Sequence, residues 1–304
     1  MSELQLTGII PPMITPFKQN GDVDEDAFIR NIDRWNNDQL SGYLVLGSNS
    51  EAAFLSWEEK LKLIELTVKN ARKGRIILAG TGLESARETI RFTNTAAKLG
   101  AQAALVLTPF YYIDQMGDEA LIAYFKEVAD HSDIPILIYN VPKFTHVNVS
   151  VNVVKTLSAH PNILGMKDST GNIEQLTTFK KAVGDPFNMI VGTASALYPA
   201  LKLGVQCGIL ALSNCLPNQC AKIQSLFGSE DMNDAEELHQ RIVPVNAAVA
   251  VTHGVPGLKY ASTLLGYEGW FVRNPLRPLN DSQKADVRKV LTDSGFLDAG
   301  NEPL

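Results

Sequence analysis

A (β/α)8 barrel of the TIM type, carrying a C-terminal helical extension, is the fold this sequence predicts. Three observations point to it. Eight short apolar runs recur along the chain, stretches with helical spacing lie between them, and the residues beyond the eighth run exceed what one closing helix needs. The runs are residues 8–14, 42–46, 76–80, 104–107, 135–139, 163–166, 189–191 and 208–212. Most show almost no alternation of polar and apolar residues, as in strands buried on both faces of a parallel sheet. An open doubly wound sheet is the competing architecture; eight successive units favour closure.

The intervening stretches place apolar residues three and four apart. Residues 24–37 carry Phe28, Ile32 and Trp35, and residues 57–70 carry Leu61, Ile64, Leu66 and Val68. Residues 85–99 carry Ile90 and Ala97, and residues 117–131 carry Leu121, Tyr124 and Val128. Ser56 before Trp57-Glu58-Glu59 reads as a capping box, with acidic groups at the positive end of the helix dipole. Beyond the last run, residues 234–251 and 282–294 read as further helices, joined through a turn-rich link at 275–278. The expected division is a barrel over residues 1–220. The closing helix and an extension packed on the barrel are expected over 221–304.

Composition narrows the function. The chain has 304 residues, 45% of them hydrophobic, and a formal charge of −6 without long basic runs, which argues against a nucleic-acid partner. Three cysteines (Cys207, Cys215, Cys220) are too few for a disulfide framework, and no second cysteine pair completes a zinc site. No basic region followed by an apolar core opens the chain, and no apolar run approaches membrane-spanning length. A cytoplasmic protein is expected, in which the sequons at Asn148 and Asn280 carry no meaning.

In such a barrel the active site forms at the C-terminal ends of the strands. That rule collects Thr15-Pro16-Phe17, Gly47-Ser48-Asn49-Ser50-Glu51, Gly80-Thr81-Gly82, Thr108-Pro109-Phe110-Tyr111-Tyr112, Tyr139-Asn140-Val141-Pro142, Lys167-Asp168-Ser169, Gly192-Thr193-Ala194-Ser195 and Ser213-Asn214. Hydroxyls, phenols and one lysine converge there. Lys167 closes the apolar stretch Ile163-Leu164-Gly165-Met166, so it is expected at the end of a buried strand. Taking an amine out of water favours its neutral form, a nucleophile toward ketones and aldehydes. The other reading of Lys167 is a buried ion pair with Asp168 or another carboxylate; its company favours the nucleophile. Tyr139 is either a proton donor or an amphipathic core residue, and Ser48 and Tyr111 offer it a relay. The Gly47–Glu51 turn is either an anion cradle of backbone N–H groups or a plain strand–helix turn. Gly80-Thr81-Gly82 lacks the third glycine of a dinucleotide loop.

Taken together, these residues resemble the dihydrodipicolinate synthase and N-acetylneuraminate lyase superfamily, the class I pyruvate-dependent aldolases. The resemblance runs from Gly8 to the C-terminal helices. It rests on Gly47 to Glu51 (G-[ST]-x-[GS]-E), Tyr139 to Pro142 (Y-N-x-P) and Gly165 to Ser169 (G-x-K-D-[ST]). It implies a (β/α)8 barrel assembled as a homotetramer of two tight dimers, with no cofactor and no metal. It also implies that Lys167 forms a Schiff base with pyruvate and that Tyr139 is the general acid/base. Ser48 would be the relay hydroxyl and Tyr111 the phenol supplied by the neighbouring subunit. The Ser48 and Asn49 amides would hold the pyruvate carboxylate, and Gly192 and the Ile209 carbonyl would line the pocket.

The sequence departs from the pattern in two places. Ser50 stands where the family loop usually has its second glycine, and Asn49 replaces a common threonine. Phe144, followed by Thr145 and His146, stands where the synthases carry an arginine that grips aspartate semialdehyde, and phenylalanine makes no bidentate carboxylate clamp. Pro244-Val245-Asn246-Ala247-Ala248-Val249 and Gly254-Val255-Pro256-Gly257-Leu258-Lys259 look more like the 4-hydroxy-2-oxoglutarate aldolase branch. The expected partners are therefore pyruvate and a small aldehyde, or a 2-oxo-4-hydroxy acid, with Phe144 and His146 lining the distal pocket. A dihydrodipicolinate synthase, a 2-keto-3-deoxy sugar acid aldolase and a keto-acid-binding barrel without turnover are the alternatives.

Overall fold

The computed structural model describes residues 4–185 and 187–298. Within them all eight predicted strands are present: β1 (Gly8–Ile10), β2 (Gly42–Val45), β3 (Ile76–Gly80), β4 (Ala103–Leu107), β5 (Ile136–Asn140), β6 (Ile163–Asp168), β7 (Asn188–Val191) and β8 (Cys207–Ile209). They pair in parallel in the order β1-β8-β7-β6-β5-β4-β3-β2. A bridge between Pro12 and Leu44 closes the ring at the β1–β2 seam. There the Met13 N–H donates to the Leu44 carbonyl and the Leu44 N–H to the Pro11 carbonyl, at 2.9 and 3.0 Å. β1 is shorter than the predicted run because Pro11 and Pro12 have no N–H to give a ladder. The eighth run also shortens, because the chain enters a 3₁₀ turn at Ala211–Asn214.

The helices are α1 (Glu25–Trp35), α2 (Trp57–Asn70), α3 (Ala86–Leu99), α4 (Asp118–Asp130), α5 (Pro142–Thr145), α6 (Val151–Leu157), α7 (Ile173–Ala182), α8 (Leu197–Lys202), α9 (Pro217–Gly228), α10 (Met232–Asn246), α11 (Gly254–Leu264) and α12 (Asp281–Asp293). The Ser56 capping box at α2 is formed in full: Ser56 Oγ accepts from the Glu59 N–H and Glu59 Oε2 accepts from the Ser56 N–H. The expected boundary at residue 220 falls inside α9, the helix that follows β8. The predicted continuous helix over 234–251 does not form as such. α10 ends at Asn246 and passes into a π-helical turn, Ala247–Thr252, just past Pro244, whose missing N–H weakens the regular ladder.

Two apolar layers explain the unalternating strands. Leu137, Ile190, Ile209, Ile10, Leu44, Leu78 and Leu105 fill the barrel's interior from seven strands. Their neighbours, such as Ile9, Val45, Ile77, Val106, Ile138 and Val191, face the helices. Strand β6 is the exception. Its register against β5 shifts: Ile136 pairs with Ile163, but Leu137 pairs with Gly165, so Leu164 is an extra residue. This bulge turns Met166 outward and brings Lys167 opposite inward-facing Tyr139.

Candidate active site

Lys167 sits at the C-terminal rim of β6, in register with Tyr139 on one side and Ile190 on the other. It is 4% exposed. Its Nζ lies 4.2 Å from the centroid of the Tyr139 ring, and among the described residues no carboxylate pairs with it. Asp168, the nearest candidate for such a pair, points to the opposite face of the strand. There its carboxylate accepts from Asn140 Nδ2 at 2.8 Å, Gln175 Nε2 at 3.2 Å and Thr170 Oγ1 at 2.5 Å. Burial holds the Asp168 carboxyl above its ordinary range, against the pull of these hydrogen bonds. The ion-pair reading of Lys167 with Asp168 is thereby excluded in this geometry. A buried amine in contact with a phenol remains.

The Tyr139 hydroxyl lies 3.4 Å from Ser48 Oγ, either group donating. Ser48 opens a 3₁₀ turn, Ser48–Ser50, that leaves β2. The internal bonds of this turn begin with the Ser50 N–H to the Gly47 carbonyl and the Glu51 N–H to the Ser48 carbonyl. The Ser48 and Asn49 N–H groups precede them, which is the position from which a turn serves an outside anion. Two buried bonds fix the turn to the exit of β1: Thr15 Oγ1 donates to the Ser50 carbonyl at 2.9 Å, and Ser50 Oγ donates to the Met13 carbonyl at 2.5 Å. Ser50, the departure from glycine, therefore has a structural bond of its own.

On β7's exit, the Gly192 N–H donates to the Asp168 carbonyl at 2.8 Å. A Cβ at Gly192 would stand 2.0 Å from Ser169 Oγ, so only glycine lets the β6 and β7 rims approach this closely. Ile209 is buried on β8 and belongs to the interior cluster with Tyr139. Cys207, two residues before it, has its thiol pushed up to about 12 by burial, with the Lys167 charge pulling the other way. All three cysteines are buried and unbridged.

Three predicted residues stand apart from this cluster. Tyr111 is 73% exposed. It packs edge-on against Tyr112, its backbone N–H donates to Glu84, and it makes no hydrogen bond to Ser48 or Tyr139 of the same chain. Phe110, Tyr112 and Ile113 beside it are also exposed. Phe144 is exposed on α5, and His146, in the left-handed region at φ 55°, caps that helix. Lys143 Nζ, the cation next to Phe144, donates to the Val251 carbonyl of the π-helical turn at 3.0 Å.

Sequence reasoning missed the contribution of the C-terminal helices. Asn246 Nδ2 donates to Thr193 Oγ1 and Ser195 Oγ at 3.1 and 2.7 Å, and His239 Nε2 lies 3.2 Å from the Ala194 carbonyl, so α10 braces the β7 exit loop. Lys259 on α11 reaches Glu51, at the end of the Ser48 turn, with Nζ 2.7 Å from Oε1. One signal was available: Lys259 is the lone charge in the helix Gly254–Leu264, and a buried charge requires a partner.

Comparison with known proteins extends over nearly the whole chain. The model of the dihydrodipicolinate synthetase family matches residues 5–294. A 4-hydroxy-tetrahydrodipicolinate synthase of Methanothrix thermoacetophila is 35% identical over 287 residues, 94% of this chain and 96% of that protein. Its counterpart in Bartonella bacilliformis is 35% identical over 96% of this chain and 99% of its own. Among solved structures, dihydrodipicolinate synthase from Aquifex aeolicus superposes with a TM-score of 0.89 at 30% identity, covering 97% of this chain and 100% of that one. The E. coli prophage protein YagE, solved in complex with pyruvate, gives 0.90 at 29% identity, covering 95% and 99%.

Proposed function

This chain belongs to the dihydrodipicolinate synthetase family, the class I pyruvate-dependent aldolases, and on that premise we propose that Lys167 is its Schiff-base nucleophile. The observation that supports this is the placement of the Lys167 amine 4.2 Å from the centroid of the Tyr139 ring, buried and without a carboxylate partner among the described residues. In the proposed reaction the amine attacks C2 of pyruvate. Tyr139 returns a proton to the carbinolamine oxygen, water leaves, and an iminium forms. Loss of a C3 proton gives an enamine that adds to an aldehyde. In the opposite direction, a C4 hydroxyl proton goes to Tyr139, the C3–C4 bond breaks, and the electron pair is taken up by the iminium. Ser48 passes protons to and from Tyr139, the Ser48 and Asn49 amides hold the pyruvate carboxylate, and Gly192 and Ile209 line its pocket. Tyr111 of a second copy completes the relay, and an assembly through the exposed 110–113 aromatics, as a dimer within a homotetramer, supplies it.

Two acceptors have specific support. The synthases among the relatives support condensation of pyruvate with aspartate semialdehyde. Phe144 supports a second reading, cleavage or formation of a 2-oxo-4-hydroxy acid of the 4-hydroxy-2-oxoglutarate type. Without an arginine clamp, and with Lys143 committed to the Val251 carbonyl, an acceptor carboxylate loses a charged hydrogen bond of ~1.5–3 kcal/mol, about 10- to 100-fold in binding. Pyruvate plus borohydride is expected to add a reduced pyruvyl group to Lys167, read by mass spectrometry; a protein of unchanged mass rejects the mechanism. The acceptor is then decided by kcat/KM for aspartate semialdehyde against pyruvate release from a panel of 2-oxo-4-hydroxy acids and 2-keto-3-deoxy sugar acids. Labelling without turnover on any of them identifies a keto-acid-binding barrel instead.

A further inference from the structure

We propose that Lys259, from the C-terminal extension, is a positioning residue for the turn that receives the pyruvate carboxylate, acting through Glu51. This inference rests on the pyruvate reading given above. Glu51 ends the Ser48–Ser50 turn with φ at 55°, in a left-handed conformation that a non-glycine residue holds only when its surroundings fix it. What fixes it is a buried set of bonds from the far end of the chain. Lys259 Nζ donates to Glu51 Oε1 at 2.7 Å and also to the Phe271 carbonyl. The Arg273 N–H donates to Glu51 Oε2 at 2.8 Å. The Arg273 guanidinium is itself held by Glu59 Oε1 and Oε2, at 2.6 and 2.7 Å. The Phe17 ring lies against both cations, with centroid distances of 4.5 and 4.4 Å.

Both charges of the central pair are sequestered; the Lys259 and Glu51 side chains are each 1% exposed. A buried ion pair of this kind adds little to stability compared with an apolar replacement, so its retention needs another reason. Geometry supplies one. The Glu51 N–H donates to the Ser48 carbonyl, whose planar peptide carries the Asn49 N–H, so holding Glu51 holds that amide. The hydrogen bonds and the ion pair of Lys259 go to Glu51 and Phe271, not to Lys167, Tyr139 or Ser48. Its effect on the reaction therefore passes through the turn.

The test is borohydride trapping of pyruvate on Lys167 as a function of pyruvate concentration, in three proteins. The unsubstituted enzyme is expected to label and to give the reference half-saturation. In the double variant Glu51→Gln/Lys259→Met, both buried charges are removed. It is expected to fold, to label Lys167 at saturating pyruvate, and to need roughly 10- to 100-fold more pyruvate for half-labelling, the equivalent of a degraded charged hydrogen bond. Lys259→Arg keeps the charge on a longer, planar group, and is expected to shift half-saturation by a smaller factor in the same direction. Thermal unfolding establishes that each variant is folded. A folded double variant with the reference half-saturation overturns the proposal, and should the double variant fail to fold, a reference value for Lys259→Arg does the same. No labelling of the unsubstituted protein instead rejects the pyruvate reading, and this role for Lys259 with it.

Discussion

Replacing Asp168 by asparagine is expected to leave stability at pH 7 unchanged or slightly higher, whereas alanine is expected to cost about 2–4 kcal/mol. The carboxylate accepts three hydrogen bonds, from Asn140, Gln175 and Thr170. Asparagine keeps the Oδ1 that receives the first two, and turns its amide toward Thr170, whose hydroxyl can accept as well as donate. Alanine removes three charge-assisted bonds of ~1.5–3 kcal/mol each. The loss is smaller than their sum for two reasons. Asn140 and Gln175 still donate to Asn148 Oδ1 at 2.9 and 3.2 Å, and the dehydration of the carboxylate disappears with it. That dehydration also gives a pH signature. Burial raises the Asp168 carboxyl above its ordinary 3.8, so the folded protein binds more protons than the unfolded chain. Its contribution to stability therefore falls as pH climbs from 3.8 to the folded value, and is flat above it. The asparagine variant lacks that fall. Urea unfolding followed by circular dichroism at pH 7, and at intervals between pH 4 and 7, measures both effects. Asparagine costing as much as alanine at pH 7, or keeping the parent's pH slope, would refute the reasoning.

Three further outcomes follow from the same geometry. Tyr139→Phe is expected to lower kcat by about 10²–10⁴-fold while Lys167 still labels with pyruvate and borohydride on long incubation; a kcat within a few-fold of the parent removes the phenol from proton transfer. Gly192→Ala places a methyl 2.0 Å from Ser169 Oγ and 2.7 Å from the Asp168 carbonyl oxygen. A loss of about 1–3 kcal/mol is expected in chemical denaturation, together with weaker pyruvate labelling, and an unchanged midpoint contradicts the close approach of the two rims. Ser56→Ala breaks the capping box on α2 and is expected to cost ~1 kcal/mol with kcat/KM unaffected.

Much of the barrel was readable from the residues because a parallel strand buried on both faces leaves an unmistakable apolar run. Residues 76–80 and 57–70 match β3 and α2 to the residue. The misjudged ends have physical causes. Pro11 and Pro12 look apolar in sequence yet have no N–H to donate to a ladder, and residues 234–251 keep helical spacing while the backbone changes to a π-helical turn beyond Pro244. Helix α11 was hidden by Gly254, Pro256 and Gly257, which read as breakers. In the site, Lys167, Tyr139 and Ser48 were legible because strand ends define the catalytic rim. The bonds that hold them were not. Glu51–Lys259 joins residues 208 apart and Asn246–Thr193 residues 53 apart, and composition does not register such distances. Tyr111 was collected by the same strand-end rule, yet within its own chain it stands exposed outside the cluster.

The extra residue in β6 makes the direction of Lys167 a matter of counting. Strand side chains alternate, so the direction of Lys167 depends on how many residues precede it in the strand rather than on which they are. Were the intact strand paired one residue for one from Ile163, Met166 would stand in the interior opposite Tyr139 and the lysine would turn out toward the helices; removing Leu164 instead gives simple register with Lys167 still opposite Tyr139. Exchanging Leu164 for another apolar residue would leave that phase intact. Drift by substitution along this strand, and loss of its one extra residue, therefore keep the lysine facing inward, while loss of two residues between Ile163 and Lys167 would set it opposite Ile138, on the wrong side of the barrel's own wall.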